Sequence, residues 1–196
     1  MLFRSAVLNA DDALVAGMAP RTAAAVVLTG TGPGAAVRAE DIALDAAARA
    51  SFRLVTPEGA APVRLAVVGR HQVANALAAA AVGRAAGMDV TAVAAALSQA
   101  GPASKWRMAV TEVPGGVTVV NDAYNANPES MRAALAALGH LAAGGTRWAV
   151  LGEMAELGEA AAGAHRELGA LVRRAGLGLV AVGEGARGLH DGAMEV

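Results

Sequence analysis

The pattern of apolar residues changes character at Gly69, and that change does most to limit what the chain can fold into. Before it lie short runs of strand length: Ala6-Val7-Leu8, Ala23 to Thr29, Val37 to Leu44, Ser51 to Val55 and Val63 to Val68. The first two are almost continuously apolar, and the second is β-branched toward its end, which predicts buried strands. Turn residues separate the runs at Asn9-Ala10-Asp11-Asp12, Gly30-Thr31-Gly32-Pro33-Gly34 and Thr56-Pro57-Glu58-Gly59. Asp11 or Asp12 is placed to cap a short helix over Ala13 to Met18. After Gly69 come two stretches of helix formers: Val73 to Ala86, with Gly87 as its stop, and Thr91 to Gln99, with Asp89 or Thr91 near its cap.

Gly101-Pro102-Ala103-Ser104 breaks the second helix and is the best candidate for a domain boundary, giving parts of residues 1–102 and 103–196. Beyond it, Met108 to Val113 and Val117 to Val120 flank Pro114-Gly115-Gly116 as in a hairpin. Then strand and helix alternate: a helix over Pro128 to Leu141, a strand at Arg147 to Leu151, a helix over Ala160 to Ala175 and a strand at Leu177 to Val182. That order predicts an α/β fold with a parallel or mostly parallel sheet.

Composition excludes several functions. The chain has 55% hydrophobic and 17% charged residues with a net charge of -1, which is far from the disordered class and leaves no electrostatic footprint for nucleic acid or an anionic membrane. With no cysteine, a disulfide framework, a thiolate metal site and a cysteine nucleophile are all ruled out. The long Ala/Val/Leu stretches are interrupted by Arg, Asp, Glu or Gly before the roughly 20 residues a membrane span requires, so no insertion is expected. Met1 to Ser5 makes a poor signal peptide, which predicts a cytoplasmic protein.

Several loops carry polar side chains suited to binding. His71, Gln72 and Asn75 cluster at the start of an alanine-rich helix, where free backbone N–H groups and side-chain amides converge; a capped helix with solvated polar residues is the plainer account. Asn121-Asp122-Ala123-Tyr124-Asn125-Ala126-Asn127-Pro128 follows a strand, where α/β proteins place ligand contacts. Asn127 can cap and Pro128 start the next helix, which leaves Asp122, Tyr124 and Asn125 to be explained. A second loop of this kind is Gly152-Glu153-Met154-Ala155-Glu156-Leu157-Gly158-Glu159. Its carboxylates suit an ammonium group, or simply a helix N-terminus biased acidic by the macrodipole. Gly30 to Gly34 lacks the Gly-Lys-Ser/Thr ending of a P-loop and predicts a plain loop. Gly183-Glu184-Gly185-Ala186-Arg187-Gly188 matches Gly-x-Gly-x-x-Gly, which a tight strand-to-helix turn explains as well. The four histidines show no recurring ligand spacing, so no metal site is expected.

Four segments, taken in order, resemble the Mur ligase family: Val7-Leu8-Asn9-Ala10-Asp11-Asp12, Gly69-Arg70-His71-Gln72-Val73-Ala74-Asn75-Ala76-Leu77-Ala78-Ala79-Ala80, the Asn121 to Ser130 stretch, and Leu151 to Glu159. The first two are shared across the family, and the last two resemble its D-alanyl-D-alanine-adding branch. Ser104-Lys105-Trp106-Arg107-Met108 is similar to actinobacterial members. The likeness covers nearly the whole chain but only the later part of a family member. It implies that residues 1–102 are the second half of a central ATPase domain and residues 103–196 an incomplete Rossmann-like C-terminal domain.

The resemblance also implies a chemistry. ATP phosphorylates the carboxylate of UDP-MurNAc-tripeptide, a peptidoglycan precursor, and the amine of D-Ala-D-Ala attacks the acyl phosphate, a reaction that depends on positioning and charge neutralisation. In the family the P-loop and the Mg2+ ligands lie upstream of these segments, so this chain is expected to be inactive alone. By resemblance His71, Gln72 and Asn75 lie by the adenine. Arg107 reaches the phosphates or ribose, Asp122 accepts from the ribose, and Tyr124 and Asn125 stand beside it. Asn127, Glu153, Met154 and Glu156 are implied at the dipeptide. A full-length member of this kind is expected to be a monomer. The alternative is a non-catalytic Rossmann-like nucleotide-binding module using Gly183 to Gly188.

Overall fold

The computed structural model describes residues 5–102, 104–141 and 145–196. Ala103 of the expected boundary and Met1 to Arg4 lie outside the described residues. The chain divides into two compact units, Met1–Gly101 and Pro102–Val196.

The first unit is a five-stranded sheet in the order β1-β2-β3-β4-β5, with strands Ser5–Asn9 (β1), Ala25–Gly30 (β2), Val37–Leu44 (β3), Arg49–Thr56 (β4) and Gly59–Val68 (β5). β1, β2 and β3 pair in parallel, while β3/β4 and β4/β5 are antiparallel. The short turns after β3 and β4 can only return the chain antiparallel, while the parallel pairing of β2 with β3 is brief, limited to Thr29 with Val37 and Gly30 with Arg38. Alternation sets the buried face: Val37 and Ala39, then Ala50, Phe52 and Leu54, then Ala61, Val63 and Leu65 all join one core. Helix α2 (Gln72–Ala85; α1 is described below) completes it with Val73, Ala76, Leu77, Ala80 and Ala81. Those positions recur at the three- and four-residue spacing of one helical face. Helix α3 (Val90–Gln99) adds Val93 and Ala94, and Asp89 caps it by accepting from the Ala92 N–H at 2.7 Å.

The expected helix over Ala13 to Met18 is shorter. Asp12 caps it through the Leu14 and Val15 N–H groups, but α1 ends at Ala16 and gives way to a single turn, Ala19–Arg21. Gly17 is a weak helix former and Pro20 cannot continue the ladder.

In the second unit a hairpin, β6 (Ala109–Val113) with β7 (Val117–Asn121), closes through Gly115 and Gly116, both at positive φ. The expectation of a parallel or mostly parallel sheet is therefore corrected here. The strand that precedes the Asn121 to Pro128 loop pairs antiparallel with β6, and only β8 (Trp148–Leu151) and β9 (Gly178–Ala181) pair in parallel among the described strands of this unit. Helices α4 (Pro128–Leu141), α5 (Ala161–Arg174) and α6 (Arg187–Met194) contribute Met131, Leu135, Leu168, Val172 and Leu189 to its core.

Glycines let α5 and α6 approach closely. A Cβ on Gly169 would stand 2.7 Å from the Leu189 carbonyl carbon, and one on Gly192 would stand 2.6 Å from the Arg166 carbonyl carbon. On β8 the indole of Trp148 lies across Gly178, its partner in the ladder, and stays 59% exposed. No helix among the described residues is long and apolar enough to cross a membrane.

Candidate functional site

In the first unit the polar cluster gathers where β1, β2 and the start of α2 meet. The Asp11 carboxylate accepts the Thr31 N–H with both oxygens, at 3.0 and 2.8 Å. This explains the first glycine of the Gly30 to Gly34 loop, since a Cβ on Gly30 would stand 2.7 Å from Asp11 Oδ1. A carboxylate at that loop already takes the Thr31 N–H. Gly69, at φ +107, lets the His71 ring lie against its backbone, because a Cβ there would be 2.6 Å from Nδ1. A relay follows along the helix start: Gln72 Nε2 is 3.1 Å from His71 Nε2, and Asn75 Nδ2 donates to Gln72 Oε1 at 3.0 Å.

A cleft of about 300 Å³ is lined by Asp11, Thr31, Arg70, His71 and the apolar side chains of Ile42 and Leu77. Gln72 and Asn75 stand beside this cleft rather than in its wall. Asp11, Thr31 and Arg70 were not expected there, and only the adjacency of Arg70 to Gly69 and His71 hints at it in the sequence. Another cleft, of about 330 Å³, lies over Asp41, Arg53 and Arg64 and holds none of the expected residues.

In the second unit Arg107 is framed from both sides. Trp106 and Met108 both take left-handed conformations, φ +62 and +47, which cost non-glycine residues roughly 1–2 kcal/mol each. Two contacts offset that cost: the Met108 N–H donates to Asp122 Oδ1 at 2.9 Å, and the Tyr124 N–H donates to the Trp106 carbonyl at 3.1 Å. The Arg107 guanidinium lies over the Tyr124 ring, 4.1 Å from its centroid. Arg107, Tyr124 and Asn125 are exposed and Asp122 is half-buried, so charge, aromatic face and amide share one accessible surface.

The asparagines of that loop also hold its backbone. Asn121 Oδ1 accepts from the Ala123 N–H at 3.1 Å. Asn127 caps α4 by accepting the Ser130 N–H at 2.8 Å, while its own N–H donates to Ser130 Oγ at 3.2 Å. Asn125 turns its Oδ1 toward the Ala126 N–H at 2.9 Å.

Within Gly152 to Glu159 the side chains divide. Glu153 and Glu156 are exposed, whereas Met154 is 1% exposed and belongs to the core. His165, 2% exposed, fastens the loop: Nε2 accepts the Met154 N–H at 2.9 Å, so Nδ1 carries the proton and donates to the Ala161 carbonyl at 2.7 Å. Nothing in the sequence marks this histidine, which reads as an ordinary polar helix residue. The side chain of exposed Glu153 lies over Gly185, and Gly188 is needed because a Cβ there would stand 2.9 Å from the Cβ of His165. The last glycine of the Gly-x-Gly-x-x-Gly match is thus taken up by packing against α5. Among the described residues no three His, Cys, Asp or Glu side chains converge to hold a metal ion.

The sequence matches two family models in order, the Mur ligase middle domain over residues 3–83 and the Mur ligase glutamate ligase domain over residues 106–194. It is 50% identical over 195 residues to the UDP-N-acetylmuramoyl-tripeptide–D-alanyl-D-alanine ligase of Mycobacterium bovis, covering 96% of this chain and 38% of that enzyme. The chain therefore spans about two fifths of the length of the curated relatives it matches. Its fold superposes on a crystal structure of MurF from Acinetobacter baumannii with a TM-score of 0.88 at 32% identity, over 99% of this chain and 42% of that one. It superposes on Thermotoga maritima MurF ligase in complex with ADP with a TM-score of 0.79 at 26% identity, over 94% and 42%. With both domain models matched in sequence order and the fold shared across each, the chain belongs to the Mur ligase family.

Proposed function

We propose that this chain supplies nucleotide- and substrate-positioning residues to an ATP-dependent UDP-N-acetylmuramoyl-tripeptide–D-alanyl-D-alanine ligase acting in the cytoplasm as a monomer. Residues 1–102 form part of its central ATP-binding domain and residues 103–196 part of its Rossmann-like C-terminal domain. The observation that carries this reading is the framed Arg107, whose exposed guanidinium is held over Tyr124 beside Asp122 and Asn125. A planar guanidinium reads phosphate or ribose oxygens with several donors at once. The second oxygen of Asp122 is left for a ribose hydroxyl, since only Oδ1 holds Met108. The His71, Gln72 and Asn75 relay offers amide and imidazole edges suited to adenine. Glu153, Glu156 and the surroundings of Asn127 suit the ammonium end of D-Ala-D-Ala; Met154, 1% exposed, is a core residue and is not available as a contact of the dipeptide.

In the full reaction the precursor carboxylate displaces ADP from the γ-phosphorus of ATP, and the dipeptide amine then displaces phosphate from the acyl phosphate. Mg2+ would neutralise the phosphates, but the residues present do not by themselves fit such an ion. No Gly-Lys-Ser/Thr sequence occurs among these residues, and Lys105 is the single lysine. The chain alone is accordingly proposed to bind ADP without turning over ATP.

Calorimetry with ADP tests the reading. The 196-residue chain should bind ADP, and Arg107→Ala should weaken binding about tenfold, the scale of one charge-assisted hydrogen bond. Equal ADP affinity in wild type and in Arg107→Ala would refute it, as would precursor-dependent ATP turnover by the chain alone.

A further inference from the structure

We propose that Tyr124 is a positioning residue that acts on the nucleotide only through Arg107, its ring fixing the guanidinium while its phenol touches no ligand. This rests on the nucleotide reading of the Arg107 surface given above. The two chain segments are tied twice by their backbones, through Met108 N–H to Asp122 and through Tyr124 N–H to the Trp106 carbonyl. Those ties place the Cα of Arg107 but leave its long side chain free to rotate. An exposed arginine samples many rotamers, and each must be given up when a ligand is gripped.

The Tyr124 ring removes much of that freedom in advance. Its face attracts the guanidinium, whose centre lies 4.1 Å from the ring centroid. The choice of an aromatic partner matters chemically. A carboxylate partner would occupy the N–H donors of Arg107, whereas a π face holds the flat side of the group and leaves its in-plane donors available. Among the described residues no acceptor takes those N–H groups. The arrangement is that of a cation held ready for an anionic or hydroxyl-bearing ligand, with the ordering cost met before binding. Tyr124 is itself 56% exposed and stands outside both hydrophobic cores, so its ring is not there to fill the interior.

The test uses this chain, ADP as the probe, and four variants: Tyr124→Leu, Tyr124→Phe, Arg107→Ala and the double Arg107→Ala/Tyr124→Leu. Tyr124→Leu should weaken ADP binding about fivefold, the scale of an exposed cation–π contact. Tyr124→Phe, which keeps the ring, should recover most of that loss. In the Arg107→Ala background, Tyr124→Leu should cost nothing further, because the residue through which it acts is gone. Independently of any ligand, the Arg107 Nε–H proton resonance should carry a ring-current shift in wild type and Tyr124→Phe and lose it in Tyr124→Leu.

Loss of affinity in Tyr124→Phe equal to that in Tyr124→Leu would overturn the proposal in favour of a phenol contact to the ligand. A full fivefold loss persisting in the Arg107→Ala background would overturn it in favour of an independent contact. An unchanged Arg107 resonance in Tyr124→Leu would deny the stacking itself. If wild type binds no ADP while the ring-current shift is intact, the nucleotide reading of the site fails, and the role assigned to Tyr124 fails with it.

Discussion

Two alanine substitutions in one helix should have opposite effects on stability. Gly163 and Gly169 both lie in α5, six positions apart. In a helix interior, Gly to Ala ordinarily gains about 1 kcal/mol from backbone entropy and propensity. Gly163 is exposed, and a Cβ there meets nothing within 4 Å, so Gly163→Ala should realise most of that gain. At Gly169 the same methyl would fall 2.7 Å from the Leu189 carbonyl carbon, closer still to its oxygen, and 3.0 Å from the Ala193 nitrogen. Those atoms are the backbone of α6 and cannot swing aside as a side chain could. Overpacking costs about 1–3 kcal/mol, and a rigid obstacle argues for the upper end. Set against the gain of about 1 kcal/mol, Gly169→Ala should lose roughly 2 kcal/mol net. With a urea slope near 1 kcal/mol/M for a unit of this size, the midpoint should fall by about 2 M in Gly169→Ala and rise by somewhat less than 1 M in Gly163→Ala. Urea titrations followed by circular dichroism at 222 nm would read both shifts. Equal or greater stability in Gly169→Ala would refute the close helix crossing on which the second unit is built.

Other outcomes follow from single contacts. Asn127→Ala removes the acceptor for the Ser130 N–H and should cost about 1 kcal/mol, seen as a lower urea midpoint, with Asn127→Asp close to wild type. Leu77, 1% exposed in the centre of the first core, should cost about 2–5 kcal/mol on truncation to Ala, depending on how far the cavity collapses. The Arg38 hydrogen bond, with the Arg38 and Arg53 charges, holds the Glu40 carboxyl below its ordinary value of 4.5, and Arg84 does the same for Glu58. A carboxyl lowered in the folded state contributes stability that is complete above its unfolded value and is lost as pH falls through the folded one. The melting temperature of the first unit should therefore begin to drop below about pH 4.5, less steeply in Glu40→Gln. A melting curve independent of pH from 5 to 3 would contradict it.

Local features of the fold were legible in the sequence where local chemistry decides them. The bounds of β3 and α4 coincide with the Val37 to Leu44 run and with the Pro128 to Leu141 run that starts at an Asn-Pro cap. The direction of pairing was less legible, because strand and helix alternation says nothing of which strand returns beside which. The β6/β7 hairpin was visible in Pro114-Gly115-Gly116, yet its antiparallel pairing removes the parallel strand expected before the Asn121 loop. For the site, the polar residues could be named but not their neighbours. Arg107 owes its surroundings to Asp122 and Tyr124, more than a dozen positions along the chain. Asp11 reaches Thr31 across twenty positions. His165 and Gly188 mean nothing until α5, α6 and the Gly152 to Glu159 loop are together. Such glycines carry no local signal, since what they permit is another segment's backbone.

Both tryptophans, Trp106 and Trp148, and the single tyrosine lie in the second unit. Excited at 295 nm, the protein therefore emits from one unit only, and the first melts without altering the spectrum of its own accord. Trp148 is the more informative of the pair, since its indole rests on Gly178 across the β8/β9 ladder. Separation of those strands would uncover the ring on its glycine side and move its emission to the red, so its colour follows the parallel pair directly. Emission set against far-ultraviolet dichroism then becomes a built-in comparison between the two units, obtained without labelling either.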